Sequence, residues 1–506
     1  MYKLQNGSDI RGIAYPNNER EVNLTKDVVE KIFTAFHIWL KKKTNKDKLS
    51  IAIGTDSRIT GEEFRDIAID VLKKKNKDCD VLDCKMATTP AMFMTTIMDG
   101  YDCDGAVMIT ASHLPYYHNG FKFFTKDGGL EKGNIKEILD IASELIQDKA
   151  DDTLDNIKGN IKEGKVTYPK LIEDYSHILV EKIREGVSSK ENYEKPLEGI
   201  KILVDAGNGA GGFFVDQILN KLGADTTGSQ FLDPDGMFPN HIPNPENKEA
   251  MKSICDSVIK NKSDLGIIFD TDVDRAALVG KGGKPINKNA LIALISKIVL
   301  NEHPNTTIVT DSITSDGLTK FIDNIGGIHH RFKRGYKNVI NEAVRLNEEG
   351  KECHIAIETS GHAALKENYF LDDGSYLIAK ILIEVAKLRS NGMTVDDLLN
   401  DLEEAKEDGE FRIKIDVEDF NSYAEDIIKD LEEHILNLDG WSVVPKNYEG
   451  IRVNCDKENG DGWFLLRISL HEPLLVLNIE SNKIGGIDVI YAKLVKFLSK
   501  YSLSGL

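Results

Sequence analysis

Cysteine is scarce and scattered in this chain. The six stand singly, at positions 79, 84, 103, 255, 353 and 455 of 506 residues, with no C-x-x-C pair. That leaves no disulfide framework to build on, and they read as buried thiols in a reducing compartment. Long apolar runs are missing too. No uncharged stretch approaches the roughly 18 residues of a membrane span, and Met1-Tyr2-Lys3-Leu4-Gln5 opens without an apolar leader, so a soluble cytoplasmic protein is expected. Positive charge is in short supply, with 64 Lys+Arg against 83 Asp+Glu and a net charge of −19. Nucleic acid and anionic membrane are therefore poor partners. Any phosphorylated ligand has to be held by a local basic cluster, because the long-range field opposes it. A G-x-x-x-x-G-K-[ST] loop is absent, which leaves a P-loop kinase unsupported.

The hydrophobic fraction, 41%, is ample for several cores, and nothing in the composition points to disorder. The length suits roughly three or four domains. One pattern is written three times. A first strand ends in a polar turn at Ile53-Gly54-Thr55-Asp56, at Val204-Asp205-Ala206-Gly207 and at Val309-Thr310-Asp311-Ser312. A helical stretch follows each, and then a second strand closes in a charged loop, at Ser112, Asp270 and Glu358 in turn. The spacing is not constant, so this is no solenoid. The expectation is three related α/β units whose strand ends converge on one cleft, a common position for ligand sites. An amphipathic stretch from Tyr168 to Val187 and a linker at Ser188–Asn192 separate the first two units. A turn at Gly280-Lys281-Gly282-Gly283-Lys284 closes the second, and past Glu407-Asp408-Gly409 the pattern turns to short strands and a helix. The expected class is α/β: three mixed-sheet domains, 1–188, 189–288 and 289–406, then a smaller α+β domain, 407–506.

The most informative stretch runs from Asp104 to Lys122, DGAVMITASHLPYYHNGFK. An apolar strand, Ala106 to Ile109, leads into Thr110-Ala111-Ser112-His113 and breaks at Pro115. Strands in open α/β sheets deliver reactive groups at their carboxyl ends, so Ser112 stands where a nucleophile is expected. Asn119-Gly120 reads as a turn that brings Lys122 back toward the loop. Thr110 and Leu114 replace the glycines of a nucleophile elbow. His113, adjacent on an extended segment, is expected to point away from the Ser112 hydroxyl. A serine without a base suits phosphate shuttling, where positioning and charge dominate.

Asp270-Thr271-Asp272-Val273-Asp274-Arg275 follows the apolar strand Leu265 to Phe269. Carboxylates packed this closely repel unless a cation neutralises them, and oxygen-only ligands favour Mg²⁺ or a similar hard ion. An EF-hand fits poorly, since Arg275 and Lys281 stand where its Gly and Glu belong. A solvated acidic turn is the bland alternative. Arg275 beside a metal tilts the balance, because a guanidinium holds a phosphate bidentately. Gly207-Asn208-Gly209-Ala210-Gly211-Gly212 satisfies G-x-G-x-x-G after a strand, with Asp225 placed 18 residues past Gly207. That supports a rival reading, an NAD-dependent dehydrogenase, against a simple tight turn between strand and helix.

The serine stretch resembles the active-serine loop of the α-D-phosphohexomutases, T-A-S-H-N-P-x-x-x-N-G-x-K, with Leu114 in place of Asn. The acidic stretch resembles their D-G-D-x-D-R loop, with Thr271 the one departure. The resemblance implies that Ser112 carries the transferable phosphate and that Mg²⁺ bridges Asp270, Asp272, Asp274 and that phosphate. Glu358-Thr359-Ser360-Gly361-His362 is similar to the sugar loop G-E-x-S-G-H without its leading Gly; its carboxylate and hydroxyl suit vicinal sugar hydroxyls, and His362 suits proton carriage. A helix-capping serine and a surface histidine are the alternative there. Gly335-Tyr336-Lys337 resembles the G-x-K loop that helps select the sugar phosphate. Asp9-Ile10-Arg11-Gly12 resembles D-I-R-G, which puts Arg11 near Ser112. Arg467-Ile468-Ser469-Leu470-His471-Glu472-Pro473 resembles the R-x-S-x-T-E-P phosphate clamp, with His471 replacing Thr; an arginine fork and a hydroxyl suit a phosphate monoester. The implied protein is a four-domain enzyme of the phosphoglucomutase/phosphomannomutase branch, with phosphoglucosamine mutase as the alternative. It would be a monomer or small homo-oligomer acting on a phosphosugar, with hexose 1,6-bisphosphate as activator. Candidate acid/base groups are Arg11, Lys122 and His362.

Overall fold

The computed structural model describes residues 1–18, 20–75, 79–147, 164–469 and 472–506. They pack as two compact units. One comprises Met1–Asn287, Ser360–Ala364 and Leu371–Asp397; the other comprises Lys288–Thr359, Leu365–Phe370 and Leu398–Leu506. No helix among the described residues is long and apolar enough to cross a membrane.

The first unit holds two sheets. In the larger, eight-stranded one, Leu49–Thr55 is central, with Cys79–Met86 and Gly105–Ile109 parallel on either side. His118–Thr125 returns antiparallel to Gly105–Ile109, and Asp9–Ile13 lies antiparallel beyond it. The Gly105–Ile109 strand is buried along its whole length, which is why it reads as a continuous apolar run. Helix Lys26–Thr44 covers one face. Thr25 caps its start by accepting from Val28 N, while Lys41, Lys42 and Lys43 complement its last turn. Its buried stripe of Val29, Ile32, Phe33, Phe36 and Leu40 joins Phe121, Phe123 and Phe64 in one core. The second sheet pairs Ile202–Asp205 parallel with Leu265–Phe269, and Ala276–Val279 antiparallel with the latter. Helix Lys248–Asn261, capped by Asn247, packs Met251, Ile254 and Val258 on it. The predicted Gly280–Lys284 turn joins Ala276–Val279 to Pro285–Ile286, closed by Gly280 N donating to Lys284 O at 2.8 Å.

In the second unit, Thr307–Thr310 pairs parallel with both Ile328–Arg331 and Cys353–Ile357. The thrice-written pattern is therefore real, since each first strand lies parallel beside its own second strand. The remaining sheet of this unit is antiparallel and six-stranded, built on Glu407–Ile415, Gly462–Ile468 and Leu474–Ser481. Helices Phe420–Ile435 and Gly486–Leu498 bury Ile427, Leu431, Ile490 and Leu494 in its core. Mixed α/β sheets followed by an antiparallel α+β sheet match the expected class.

Two local expectations fail. Asn119-Gly120 is not a turn but part of the His118–Thr125 strand. The chain reverses earlier, at Leu114–Tyr117, where Pro115 O accepts from His118 N at 2.9 Å. Asn119 faces inward and donates to Thr60 Oγ1 at 2.9 Å, so its amide serves packing rather than reversal. The stretch after Ile202–Asp205 holds a short 3₁₀ turn, Ala210–Gly212, and a single wide turn, Val215–Leu219, in place of a regular helix. Gly209 and Gly212 meet backbone there, and Gly211 meets the Phe269 side chain. Ala210 N donates to Thr271 O at 2.8 Å, and a Cβ on Gly209 would lie 2.7 Å from that same oxygen. This is the tight-turn reading, and it spends the loop on packing against Thr271. Gly209→Ala should accordingly lower stability by about 1–3 kcal/mol, read from the midpoint of denaturant unfolding. An unchanged midpoint would show that the two loops are not so tightly packed.

Candidate active site

The serine loop is set by hydrogen bonds to a buried acid. Thr110, just past the Gly105–Ile109 strand, donates to Asp56 Oδ2 at 2.6 Å and accepts from Ser112 N at 2.9 Å. Ser112 takes a left-handed backbone, φ +50°, and is buried. That turn corrects the expectation for His113, which rested on extended backbone. The ring instead lies beside the hydroxyl, with Nδ1 3.3 Å from Ser112 Oγ. It is no base there. Nδ1 already accepts from Arg275 Nη2, and the Arg275 charge, then burial, hold the ring far below the usual imidazole range.

The acidic loop follows the Leu265–Phe269 strand and meets the serine from the neighbouring sheet. Ser112 Oγ donates to Asp270 Oδ2 at 3.2 Å and accepts from Arg275 Nη2 at 3.0 Å. Asp270, Asp272 and Asp274 are buried and offer carboxylate oxygens within 4.8 Å of one another. Lys122, carried back by the His118–Thr125 strand, ion-pairs with Asp274 and lies 3.2 Å from Asp272 Oδ2. Arg275 Nε donates to Asp270 Oδ2 at 3.1 Å. Two cations thus face three acids. Burial, then Asp274, pushes the Asp270 carboxyl well above the usual range. Burial also opposes the charge on Asp274, but Lys122, His362 and Arg275 outweigh it and hold that group low. Asp272 Oδ1 and Asp274 Oδ1 are buried without a hydrogen-bond partner. Orphaned carboxylate oxygens in an all-oxygen set are what a hard divalent cation requires.

His362 joins this cluster. Its Nδ1 lies 2.5 Å from Asp372 Oδ2 and 3.9 Å from Asp274 Oδ1. Burial works against its charge, yet Asp372 and Asp274 push it up to about 9. Gly361 makes the approach possible. Its φ is +95°, and a Cβ there would lie 2.7 Å from Ala276 O, on the strand that follows Arg275. Ser360 is buried in the same segment. Arg11 bonds Asp9 Oδ2 at 2.8 Å and is one of the charges acting on His113.

The second unit gathers the other predicted residues. Gly335 N donates to Glu358 Oε1 at 2.6 Å, and Lys337 lies in the first turn of helix Tyr336–Glu348. Arg334 N donates to Glu449 Oε2 at 3.2 Å, and Arg334 Nε lies 3.9 Å from Asp311 Oδ2. Arg467, on the Gly462–Ile468 strand, is buried with its Nε unbonded. Burial lowers its pKa, which Glu449 opposes and Arg334 reinforces. Ser469 N closes the adjoining hairpin on Leu474 O at 2.9 Å. His471 lies outside the described residues.

Several residues that hold these loops escaped the sequence reading. Asp56, Arg58 and Asp372 match no motif, and Thr110 reads only as the first residue of the serine loop. The recurrence of Asp56, Asp205 and Asp311 at the ends of three first strands was the available signal. Arg334 was findable as a basic residue immediately before Gly335.

Known proteins share this layout. Residues 3–148, 177–283 and 287–405 match phosphoglucomutase/phosphomannomutase alpha/beta/alpha domains I, II and III in turn. A phosphomannomutase of Methanocaldococcus jannaschii is 30% identical over 458 residues, 87% of each chain. The chain belongs to the phosphoglucomutase/phosphomannomutase family. A phosphoglucomutase of Neisseria meningitidis serogroup A is 29% identical over 486 residues, 95% of this chain and 94% of that one. The crystal structure of a phosphoglucomutase/phosphomannomutase family protein from Burkholderia thailandensis superposes with a TM-score of 0.76 at 25% identity, covering 98% of this chain and 96% of that one. The chain is accordingly a hexose-phosphate mutase, an isomerase, with the fold of the phosphohexomutases.

A raised Asp270 pKa carries a sign. In cation-free protein this acid keeps its proton to higher pH than in the unfolded chain, so its ionisation removes stability as pH rises. A cation displaces that proton and binds more tightly at higher pH. At fixed Mg²⁺, the upward shift in melting temperature should grow as pH rises. Asp272→Asn should abolish the shift. A shift independent of pH, or intact in the variant, would place the cation elsewhere.

Proposed function

We propose that the chain interconverts the 1-phosphate and 6-phosphate of glucose or mannose, through a phosphoserine at Ser112 and a hexose 1,6-bisphosphate. One observation carries this reading: Ser112 Oγ lies 3.0 Å from Arg275 Nη2 and 3.2 Å from Asp270 Oδ2, beside buried carboxylate oxygens left without partners. A hydroxyl placed between a guanidinium and a cation cradle suits phosphoryl transfer better than proton chemistry. Mg²⁺ held by Asp270, Asp272 and Asp274, and by the phosphate on Ser112, would neutralise charge on the phosphoryl oxygens.

In the first transfer a hexose hydroxyl oxygen bonds to phosphorus as the bond to Ser112 Oγ breaks, and the hydroxyl proton leaves to a group of the site. Arg275 steadies the phosphoryl oxygens. Arg11, Lys122 and His362 are the candidates for moving the proton. His362 is charged up to about 9 in the cation-free protein, which suits it to donate. The second transfer runs the same step backwards from the other end of the bisphosphate, so added hexose 1,6-bisphosphate acts as activator by restoring phosphoserine. Glu358 and Ser360 bind sugar hydroxyls, and Gly335 and Lys337 help select the sugar phosphate. Arg467 and Ser469, with His471, hold the phosphate that is not being transferred. The unbonded Arg467 Nε supports that role. The four-domain division at 188, 288 and 406 belongs to the same proposal; matched segments end near its second and third boundaries, at 283 and 405, while the second segment begins at 177, ahead of the first boundary. So does a cytoplasmic setting, where the scattered cysteines stay reduced.

Ser112→Ala should abolish turnover of glucose and mannose 1-phosphates by orders of magnitude. Ser112 is buried, yet losing one hydroxyl should cost only about 1 kcal/mol of stability. Undiminished activity in that variant would refute the carrier role. Glucosamine 1-phosphate as the preferred substrate would favour the phosphoglucosamine alternative. Saturable NADH binding without mutase activity would favour the dehydrogenase.

Arg467→Ala should raise KM for the phosphosugar by about 10- to 100-fold, the loss of one charge-assisted hydrogen-bonded contact. It should also increase escape of the bisphosphate into solution. If KM and bisphosphate release both stay at the wild-type level, Arg467 does not hold the phosphate.

A further inference from the structure

Arg58 is a buried cation with no part in the chemistry proposed so far. Its side chain is fully buried, and it does not touch the Ser112 hydroxyl. Its donors go to the backbone of the serine loop: Nη1 to Pro115 O at 2.9 Å and His118 O at 2.8 Å, Nη2 to Leu114 O at 2.6 Å and to Ser112 O. Four carbonyls of one reversal thus converge on one guanidinium. Two further contacts fix the guanidinium itself. Its Nε lies 3.4 Å from Asp56 Oδ2, and the Phe238 ring lies 5.3 Å from its centre. Asp56 in turn accepts from Thr110 Oγ1, whose oxygen accepts from Ser112 N. Ser112 is therefore gripped at both ends of its own residue, through its N–H by the Asp56–Thr110 relay and through its carbonyl by Arg58.

We infer that Arg58 is a positioning residue for phosphoryl transfer, clamping the loop so that Ser112 keeps its left-handed backbone and presents Oγ to Arg275 and Asp270. The inference rests on Ser112 as the phosphate carrier. A non-glycine residue at φ +50° is held against its own preference by its surroundings. The carrier has to give phosphate away and take it back, so its oxygen must return to one place in every cycle. Five donors in a planar fork can span several carbonyls, whereas an ammonium is a point with three. Charge alone is therefore not a substitute. The clamp also accounts for the tolerance of Leu114: the loop is fixed there through a backbone carbonyl, which any side chain leaves in place.

Arg58→Lys keeps the charge beside Asp56 and loses the fork. Thr110→Val cuts the relay to Ser112 N at nearly constant shape. Steady-state kinetics, Mg²⁺ affinity and the unfolding midpoint are to be measured on each variant and on Ser112→Ala. The expected result for Arg58→Lys is a kcat at least about 100-fold lower, the scale of a misplaced reacting group. KM should stay within about twofold, and the Mg²⁺ affinity of the dephosphorylated protein should be unchanged, since the substrate loops and the three aspartates are untouched. Thr110→Val should show the same split with a smaller fall. Wild-type kcat in these variants overturns the inference. So does a loss of kcat in step with Mg²⁺ affinity or with folded fraction, which would mark Arg58 as general scaffolding. If Arg58→Lys does not fold, Thr110→Val decides alone on the same criteria. Ser112→Ala separates the two ideas: full activity there removes the carrier reading itself, whereas an inactive Ser112→Ala beside a fully active Arg58→Lys removes only the clamp.

Discussion

Three carboxylates within 4.8 Å of one another, all buried, set a condition that the surrounding structure has to meet. Charge of one sign at that separation and depth is tolerable only with opposite charge in contact. Lys122 comes from the neighbouring sheet, Arg275 from the loop itself and His362 from the 360–364 segment. Even so, Asp272 Oδ1 and Asp274 Oδ1 keep no hydrogen bond, and they mark where a further cation would sit. Much of the first unit follows from this condition. The His118–Thr125 strand has to run back beside Gly105–Ile109 to deliver Lys122. The 360–364 segment has to lie against Ala276 to bring His362. The glycine loop at 207–212 has to close on Thr271. A chain of net charge −19 concentrates its scarce cations at this point.

The repeated strand pairs are a common device for placing loops. In each pair the first strand ends at an aspartate, and twice that aspartate grips the loop after the second strand: Asp56 through Thr110, and Asp311 through Thr359 Oγ1 at 2.7 Å and Thr359 N at 3.2 Å. In the remaining pair Asp205 turns to His241, both carboxylate oxygens lying 3.0 Å from Nε2. There the charged loop is fixed by its own ion pairs, and the aspartate serves the neighbouring segment.

What was legible in the sequence was whatever chemistry writes in consecutive residues. Ser112, the three aspartates, Arg275 and Lys122 lie on two short stretches, and the structure brings them together as expected. The Gly280–Lys284 turn and the parallel strand pairs were legible for the same reason, being local or periodic. The misses were all matters of backbone conformation or of long-range contact. His113 was misplaced because a left-handed residue precedes it, and nothing in Ser-His spells that out. Asn119-Gly120 has turn composition, but pairing with Asp9–Ile13 on one side and Gly105–Ile109 on the other overrode it. Arg58 and Asp372 act on residues 54 and 10 positions away, and no spacing rule connects them. The dinucleotide-like glycines were ambiguous for the opposite reason: close backbone approach favours glycine whether the neighbour is a pyrophosphate or Thr271 O.

Gly361 lies against the strand that issues from the acidic loop, so the segment carrying Ser360 and His362 and the segment carrying Arg275 are in direct backbone contact. Variation cannot tune them separately. A change of backbone at residues 360–362 would press on Ala276, the residue after Arg275, and so would be felt by the guanidinium beside Ser112 and Asp270.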